Sequence, residues 1–331
     1  MQNHKPNFRP MLRALSFCIG LAAVAAPSWA NVDCDQVLDV ERSIRSCTVL
    51  IKQNARHAFA YNSRGNAYLA KGDIERAIRD FDDQIRAAPR HDYAYNGRGN
   101  AYLAKGDLDR AIEDYTRQIA ITPRHMFAYN GRGSAYAAQG EYDRAIQDFD
   151  EQIAIDPRHA HAYAGRGSAL AAKGELEGAI EDFDRQIEID PRHDYAYAAR
   201  ANALAAKGEL QRAILDFDKQ IDIHPRHPHA YAGRARAWVA KGDLAAAIRD
   251  YDQQIAVNAH YTQAYLGRAQ AHLQVGHPEP ALADADMFLA AHPDDPDGLK
   301  TRAQILQALG RYKEAIIDFR RALALQPETA E

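Results

Sequence analysis

The sequence predicts an all-α fold, an α-solenoid built from stacked antiparallel pairs of short helices. Three observations predict it: a 34-residue period repeated eight times, a tyrosine at one place in seven copies, and a glycine in the middle of every copy. A period of this length is typical of helix-pair repeats, which bury their apolar faces only by stacking on one another. The tyrosines are Tyr61, Tyr95, Tyr129, Tyr163, Tyr197, Tyr231 and Tyr265. The glycines are Gly72, Gly106, Gly140, Gly174, Gly208, Gly242, Gly276 and Gly310.

The first 30 residues precede the repeats and have a different composition. They begin with cations and no acids, continue through the apolar run 15–26, and end in small residues before and at Ala30. This order predicts a cleaved signal peptide over 1–30. The apolar run is too short for a permanent membrane anchor, and the rest of the chain has no other run of membrane length. We therefore expect an exported protein without a membrane span, periplasmic or alternatively secreted.

Two cysteines, Cys34 and Cys47, remain after cleavage. They stand one period before Tyr68 and Phe81, where the two helices of a preceding hairpin would face each other. Because exported proteins form disulfides, we predict that this pair staples a half-repeat, the N-terminal cap 31–57, and contributes about 3 kcal/mol. A reactive thiol pair is the alternative.

Within each repeat, the first half predicts one short helix. In the copy 92–125, Tyr95, Gly99 and Tyr102 are spaced i, i+4, i+7, which places them on one helical face. Gly106 can end this helix with a positive φ, and Asp107 can cap the next one.

The second half of the same copy predicts a second helix. Ala111, Ile112, Tyr115 and Ile119 share one face of it. Pro123 ends the helix because proline cannot continue a helix interior. Each repeat is therefore two antiparallel helices joined at the glycine.

The recurring residues resemble the tetratricopeptide repeat family. With Ala58 as position 1 of the first repeat, the recurring Tyr, Gly, Tyr, Ala, Phe or Tyr, and Pro fall at positions 4, 8, 11, 20, 24 and 32. The resemblance covers 58–331 in eight repeats. It implies a right-handed superhelix whose concave face, lined by the first helices, holds an extended peptide or a partner helix.

Two departures from the family pattern stand out. Position 27, commonly alanine, is glutamine in six repeats, which predicts either a ladder of Gln-to-backbone hydrogen bonds or a slightly opened stack. The last two repeats are degenerate: Pro278 and Pro280 open a helix of the seventh, and the eighth has Leu299 for the tyrosine and the polar Arg320. We expect these two repeats to act as a cap. The glutamines are Gln84, Gln118, Gln152, Gln186, Gln220 and Gln254.

Arginine at position 7 and aspartate at position 23 recur in all eight repeats, from Arg64 and Asp80 to Arg302 and Asp318. We interpret them as a structural ladder in which each guanidinium bridges helices within or between repeats. A polar binding strip is the alternative.

Histidines recur in the turns between repeats. They are one period apart, and stacked helices lie about 8–10 Å from each other, so two of them cannot easily share one metal ion. The close pairs are His159 with His161 and His227 with His229, and neither has an obvious third ligand. We predict a turn and N-cap role, with no metal and no cofactor. The turn histidines are His57, His91, His125, His159, His193 and His227.

The candidate site is a stripe at positions 2, 5, 9 and 12 of the first helices, beside the core stripe. Asparagine offers a donor and an acceptor for a peptide backbone, and aromatic rings offer contact area for side chains. A solvated helix face without ligand is the alternative. The predicted groove residues are Phe59, Asn62, Asn66, Tyr93, Asn96, Asn100, Phe127, Asn130, Ser134, Tyr195, Asn202 and Arg236.

Charge and motifs restrict the function classes. The formal net charge is -4, with both signs alternating along the helices, which disfavours nucleic-acid binding. No phosphate-binding glycine loop, nucleophile elbow or zinc-protease motif is found. We expect a non-enzymatic adaptor that holds a peptide or protein segment, or alternatively a scaffold that organises an envelope or secretion complex through its ends or convex face. The oligomeric state stays open.

Overall fold

The computed structural model describes Cys34 and residues 39–325. This part holds 17 α-helices and no strand. The predicted signal peptide at 1–30 lies outside the described residues. The helix that precedes the repeats is α1 (Val40–Gln53). The first helices of the repeats are α2 (Ala58–Lys71), α4 (Asp92–Lys105), α6 (Met126–Gln139), α8 (Ala160–Lys173), α10 (Asp194–Lys207), α12 (Pro228–Lys241), α14 (Thr262–Gln274) and α16 (Pro296–Ala308). The second helices are α3 (Ile74–Ala87), α5 (Leu108–Ile121), α7 (Tyr142–Ile155), α9 (Leu176–Ile189), α11 (Leu210–Ile223), α13 (Leu244–Val257), α15 (Pro278–Ala291) and α17 (Tyr312–Ala324).

The chain forms two compact units, Met1–Ala87 and Ala88–Glu331. In the first, α1, α2 and α3 pack in sequence. In the second, α4 to α17 pack in sequence, each helix against the next. The predicted solenoid of antiparallel helix pairs is confirmed, while the right-handed superhelix stays a prediction. None of the helices in 39–325 combines the length and apolar character that a membrane crossing requires.

The helix boundaries follow from residues that recur in each repeat. Gly106 ends α4 with φ 82°, and its N–H donates to the carbonyl of Leu103. An L side chain would be strained in this left-handed conformation, which is why the turn uses glycine. Asp107 then accepts from the N–H of Arg110 and caps α5. Two residues are thus enough to reverse the chain between the helices.

Several successive repeats in the second unit stack through an aromatic ring at position 24, whereas the seventh has Ala285 there and uses Phe288. The ring of Tyr115 packs so closely on Gly131 of the next first helix that a Cβ there would come within 2.4 Å. Phe217 lies against Gly233 in the same way, at 2.3 Å. A small residue is therefore required where the ring of one repeat meets the first helix of the next.

A disulfide joins Cys34 and Cys47, as predicted. Their Cα atoms are 5.0 Å apart, and both residues are fully buried beside Ala60. The Oγ of Ser43 donates to the carbonyl of Cys34 at 2.8 Å. The disulfide thus fixes Cys34 onto the buried face of α1.

The arginine and aspartate ladder is structural, as we interpreted it. Arg302 is typical: its Nε and Nη2 donate to both oxygens of Asp318 at 2.7 and 2.9 Å, while its Nη1 reaches Asp286 of the preceding repeat at 3.0 Å. Hydrogen bonds to Asp318 and then to Asp286 raise the pKa of Arg302 above its ordinary value. The links within a repeat are Arg64–Asp80, Arg98–Asp114, Arg132–Asp148, Arg166–Asp182, Arg200–Asp216, Arg234–Asp250, Arg268–Asp284 and Arg302–Asp318. The links to the preceding repeat's position 25 are Arg166–Asp150, Arg200–Asp184, Arg234–Asp218, Arg268–Asp252 and Arg302–Asp286.

Candidate functional site

A continuous row of aromatic and imidazole rings crosses the starts of the first helices in the second unit. Successive ring centroids are between 5.3 and 6.4 Å apart. We call this set the ring row. Its members, in spatial order, are His91, Tyr93, His125, Phe127, His159, His161, His193, Tyr195, His227, His229 and Tyr261.

The row forms because two ring positions interleave along the stack. Each repeat supplies the residue before its first helix and the second residue of that helix. Tyr93 lies 5.8 Å from His91 of its own turn and 5.5 Å from His125 of the next turn, with its plane at 84° to that of His125. Edge-to-face contacts of this kind are favourable between rings. Stacking of the repeats therefore continues the row from one helix pair to the next.

Part of the row is open to a ligand. Tyr93, Phe127 and Tyr195 are 50%, 43% and 54% exposed. Contiguous exposed apolar surface on a soluble protein marks an interaction site more often than scattered single residues do. These three were predicted as groove residues, and the structure places them along one row.

The other side of the row is tied to the core through buried glutamines. The Nε2 atoms of Gln118 and Gln152 lie 3.1 and 3.2 Å from the Nδ1 atoms of His125 and His159. The predicted Gln-to-backbone ladder is therefore wrong for these repeats, because an imidazole nitrogen takes the place of a backbone acceptor.

The turn histidines stand at the N-cap positions of the first helices, as predicted, but not all of their side chains make a cap hydrogen bond. His57 does cap α2, since its Nδ1 accepts from the N–H of Ala60 at 3.2 Å. His125 and His159 stand at the N-cap position, but their side chains make no cap hydrogen bond. In these two repeats the bond to glutamine has replaced the cap.

Burial lowers the pKa of His125 and His159 below the ordinary value of 6.5. For His159 the neighbouring His161 lowers the pKa further. Burial and then His227 and Arg236 lower the pKa of His229. Neutral imidazoles are thus favoured, which agrees with Nδ1 acting as an acceptor toward a glutamine amide.

The predicted asparagines Asn96 and Asn100 are engaged inside the protein. The hydroxyl of Tyr115 donates to Oδ1 of Asn100 at 2.7 Å, and Nδ2 of Asn100 donates to Oδ1 of Asn96 at 3.3 Å. Nδ2 of Asn96 then donates to Oε1 of Gln118 at 3.0 Å, and Gln118 reaches His125. We call these five residues the Tyr115–His125 chain. Its asparagines support the core and the ring row.

The other predicted polar residues are differently placed. Asn62, Asn130 and Ser134 are half-buried, and Asn66, Asn202 and Arg236 are exposed. None of these six makes a side-chain hydrogen bond or ion pair within 39–325. Phe59 is 40% exposed on α2 of the first unit. In the second unit, Asn130 and Asn202 belong to the first helices that carry the ring row.

Nothing in the described residues forms a group of three or more His, Cys, Asp or Glu side chains able to hold a metal ion. The close pairs are present, with ring centroids 5.6 Å apart for His159 and His161 and for His227 and His229. A further pair, His161 and His193 at 6.1 Å, was missed. The row itself was also missed, although the sequence carries its signal: in six places a turn histidine is followed two residues later by another ring.

Two family models, both described as tetratricopeptide repeat, match residues 268–331 and residues 62–125, 116–158 and 130–194. No curated protein matches the chain.

Solved structures of similar fold include three of low sequence identity. A tetratricopeptide repeat protein from Parabacteroides merdae is 20% identical, with 79% of this chain and 99% of that chain covered and a TM-score of 0.58. The C-terminal part of a repeat-containing protein from Cytophaga hutchinsonii is 18% identical, with 69% and 94% covered and a TM-score of 0.54. A chain of an APC/C hetero-tetramer is 16% identical with a TM-score of 0.58, and the match covers 80% of this chain but only 52% of that one. These likenesses establish the fold alone.

Proposed function

The chain belongs to the tetratricopeptide repeat family, a family of protein-interaction modules that are generally not enzymes, and from this premise we propose that it is an adaptor which binds an extended peptide along the ring row. The ring row is the observation that carries this proposal. Exposed rings at Tyr93, Phe127 and Tyr195 offer apolar surface, and they recur at the period of the repeats.

The residues beside the row support a polypeptide ligand. Asn130 and Asn202 have uncommitted amide groups within the described part, and an amide can donate to a peptide carbonyl while accepting from a peptide N–H. The exposed Arg236 can bind a carboxylate near the far end of the row. Asn96 and Asn100 are left out of this ligand set because their amides are occupied in the Tyr115–His125 chain.

Export belongs to the same proposal. The composition of residues 1–30 is that of a signal peptide, and the buried Cys34–Cys47 disulfide suits an oxidising compartment. We place the adaptor in the periplasm, with secretion as the alternative.

A displayed library of random 12-residue peptides, selected on the full chain, tests the binding surface. Each of Tyr93→Ala, Phe127→Ala and Tyr195→Ala should weaken binding of the enriched peptides about fivefold, since one aromatic contact contributes on the order of 1 kcal/mol. Fluorescence anisotropy of the labelled peptides measures this loss. The matched control is Leu215→Ala, an equally exposed apolar residue away from the row. Equal affinity for the ring variants and the control would contradict the proposal.

A scaffold that works through its ends is the second candidate function. One observation favours it: the last described helix, α17, exposes several large apolar side chains.

A further inference from the structure

The outward face of α17 carries an apolar stripe. Tyr312, Ile316, Phe319 and Leu323 are spaced i, i+4, i+7, i+11, so they share one side of the helix. They are 63%, 49%, 37% and 70% exposed. We call these four residues the α17 stripe. A polar cap was predicted for this end, and the exposed stripe differs from the polar face that a cap usually has.

In the repeat 194–227, the next first helix covers the position that Phe319 has in the eighth repeat. Phe217 occupies the place of Phe319, and it is only 2% exposed because α12 lies over it. Gly233 of α12 meets this ring so closely that a Cβ would come within 2.3 Å. The α17 stripe therefore has the shape of a surface that receives a helix with a small residue opposite the ring of Phe319.

The charge beside the stripe is reversed relative to the rest of the stack. At position 25, five consecutive repeats have an aspartate that accepts from the position-7 arginine of the following repeat, as Asp286 does from Arg302. The eighth repeat has Arg320 at this position. Arg320 is exposed, as is Lys313 on the same flank, and neither makes an ion pair within 39–325.

This reversal disfavours the helix that would otherwise fit best, a first helix of this chain's own repeat. Such a helix would bring its position-7 arginine to Arg320, and two guanidiniums would meet where the stack normally has an ion pair. Like charges placed together are a common device against wrong partners. A second copy that stacked by the rule of the repeats is therefore disfavoured at this face.

We propose that the α17 stripe docks an amphipathic helix of a partner protein, which has a small residue against Phe319 and a carboxylate against Arg320. The apolar stripe supplies the contact area, and Arg320 with Lys313 selects an acidic helix. The proposal is independent of the ring row, since α17 lies on the last repeat and the row ends at Tyr261.

The full chain with one appended helix tests this selection. A copy of residues 228–241 is joined after Glu331 through a Gly-Ser linker, in one version with its arginine retained at position 7 and in another with glutamate there. Tethering raises the effective concentration to the millimolar range, so even a weak helix can dock. Hydrogen exchange followed by mass spectrometry measures protection of the α17 amides. We expect the glutamate helix to slow exchange more than the arginine helix does, by up to about fivefold, the largest effect of one exposed charge pair.

Two variants of the fusion make the outcome decisive. Arg320→Asp, an exposed change on α17, should reverse the preference so that the arginine helix protects better. Tyr93→Ala, which affects the ring row, should leave both results unchanged. Equal protection by the two helices, or protection by neither, would overturn the proposal. So would concentration-dependent dimers of the unfused chain that protect α17, because the occupant would then be a second copy.

Discussion

The repeats 92–125 and 194–227 have the same backbone plan and differ in how their buried glutamine is satisfied. In the first, Gln118 accepts from Asn96 and reaches His125. In the second, Oε1 of Gln220 and Nδ1 of His227 are buried, and neither finds a partner within 39–325.

Two substitutions explain the difference. Position 5 is Asn96 in the first repeat and Ala198 in the second, so the donor to the glutamine is missing. Position 24 is Tyr115 in the first repeat and Phe217 in the second, so the hydroxyl that orients the position-9 asparagine is missing as well. An asparagine on the first helix is therefore a structural residue in one repeat and a free surface residue in another.

Removing the Asn96 amide should destabilise the repeat 92–125, in which the buried Gln118 has its hydrogen-bond partners. Asn96→Ala leaves Oε1 of Gln118 buried without its donor and removes the acceptor of Asn100, which should cost about 1–3 kcal/mol of unfolding free energy. Urea unfolding followed by circular dichroism measures it. The matched control is Asn130→Ala, the same change at the same position of the next repeat, where no side-chain bond within 39–325 is lost and the effect should stay within about 0.5 kcal/mol. Equal losses in the two variants would show that the Tyr115–His125 chain contributes nothing.

Restoring the hydrogen-bond network around Gln220 should stabilise the repeat 194–227. Ala198→Asn together with Phe217→Tyr rebuilds the side chains of the Tyr115–His125 chain around Asn202, and we expect a gain of about 0.5–1 kcal/mol, because the buried Oε1 of Gln220 is satisfied. Asparagine also lowers helix propensity, so Ala206→Asn on the exposed face of the same helix serves as the control for that cost. Urea midpoints that fall equally in both variants would contradict the idea that Gln220 lacks a donor.

The sequence predicted the fold well because the fold depends on local signals repeated eight times. Gly106 ends its helix, Asp107 caps the next, and the Cys34–Cys47 pair forms, each at the place that the period indicates. These features depend on residues near one another in sequence or one period apart. Local chemistry therefore decides them.

The candidate site was harder to predict because hydrogen-bond partners depend on side chains from separate helices. Asn96 and Asn130 look alike in the sequence, yet only Asn96 is drawn inward, by a network that begins at the Tyr115 hydroxyl. Phe149 stands in place of that tyrosine in the repeat of Asn130. The role of a repeated asparagine thus depends on one oxygen atom in the second helix.

The smallest effect we expect is a change of the unfolding free energy with pH that is due to His125. Burial lowers its pKa below 6.5, so the unfolded chain binds a proton before the folded chain does as the pH falls. The unfolding free energy should therefore decrease as the pH falls below about 6.5. Protonation of Nδ1 would also remove the acceptor of the Gln118 amide. Asp92 opposes this shift because its carboxylate raises the pKa of His125.

Urea midpoints between pH 7.5 and 5 should vary less in His125→Asn than in the parent chain, whereas His260→Asn at an exposed turn should keep the parent's slope. A parent slope retained in His125→Asn would assign the pH dependence to other groups, such as His159 and His229, whose pKa values burial also lowers.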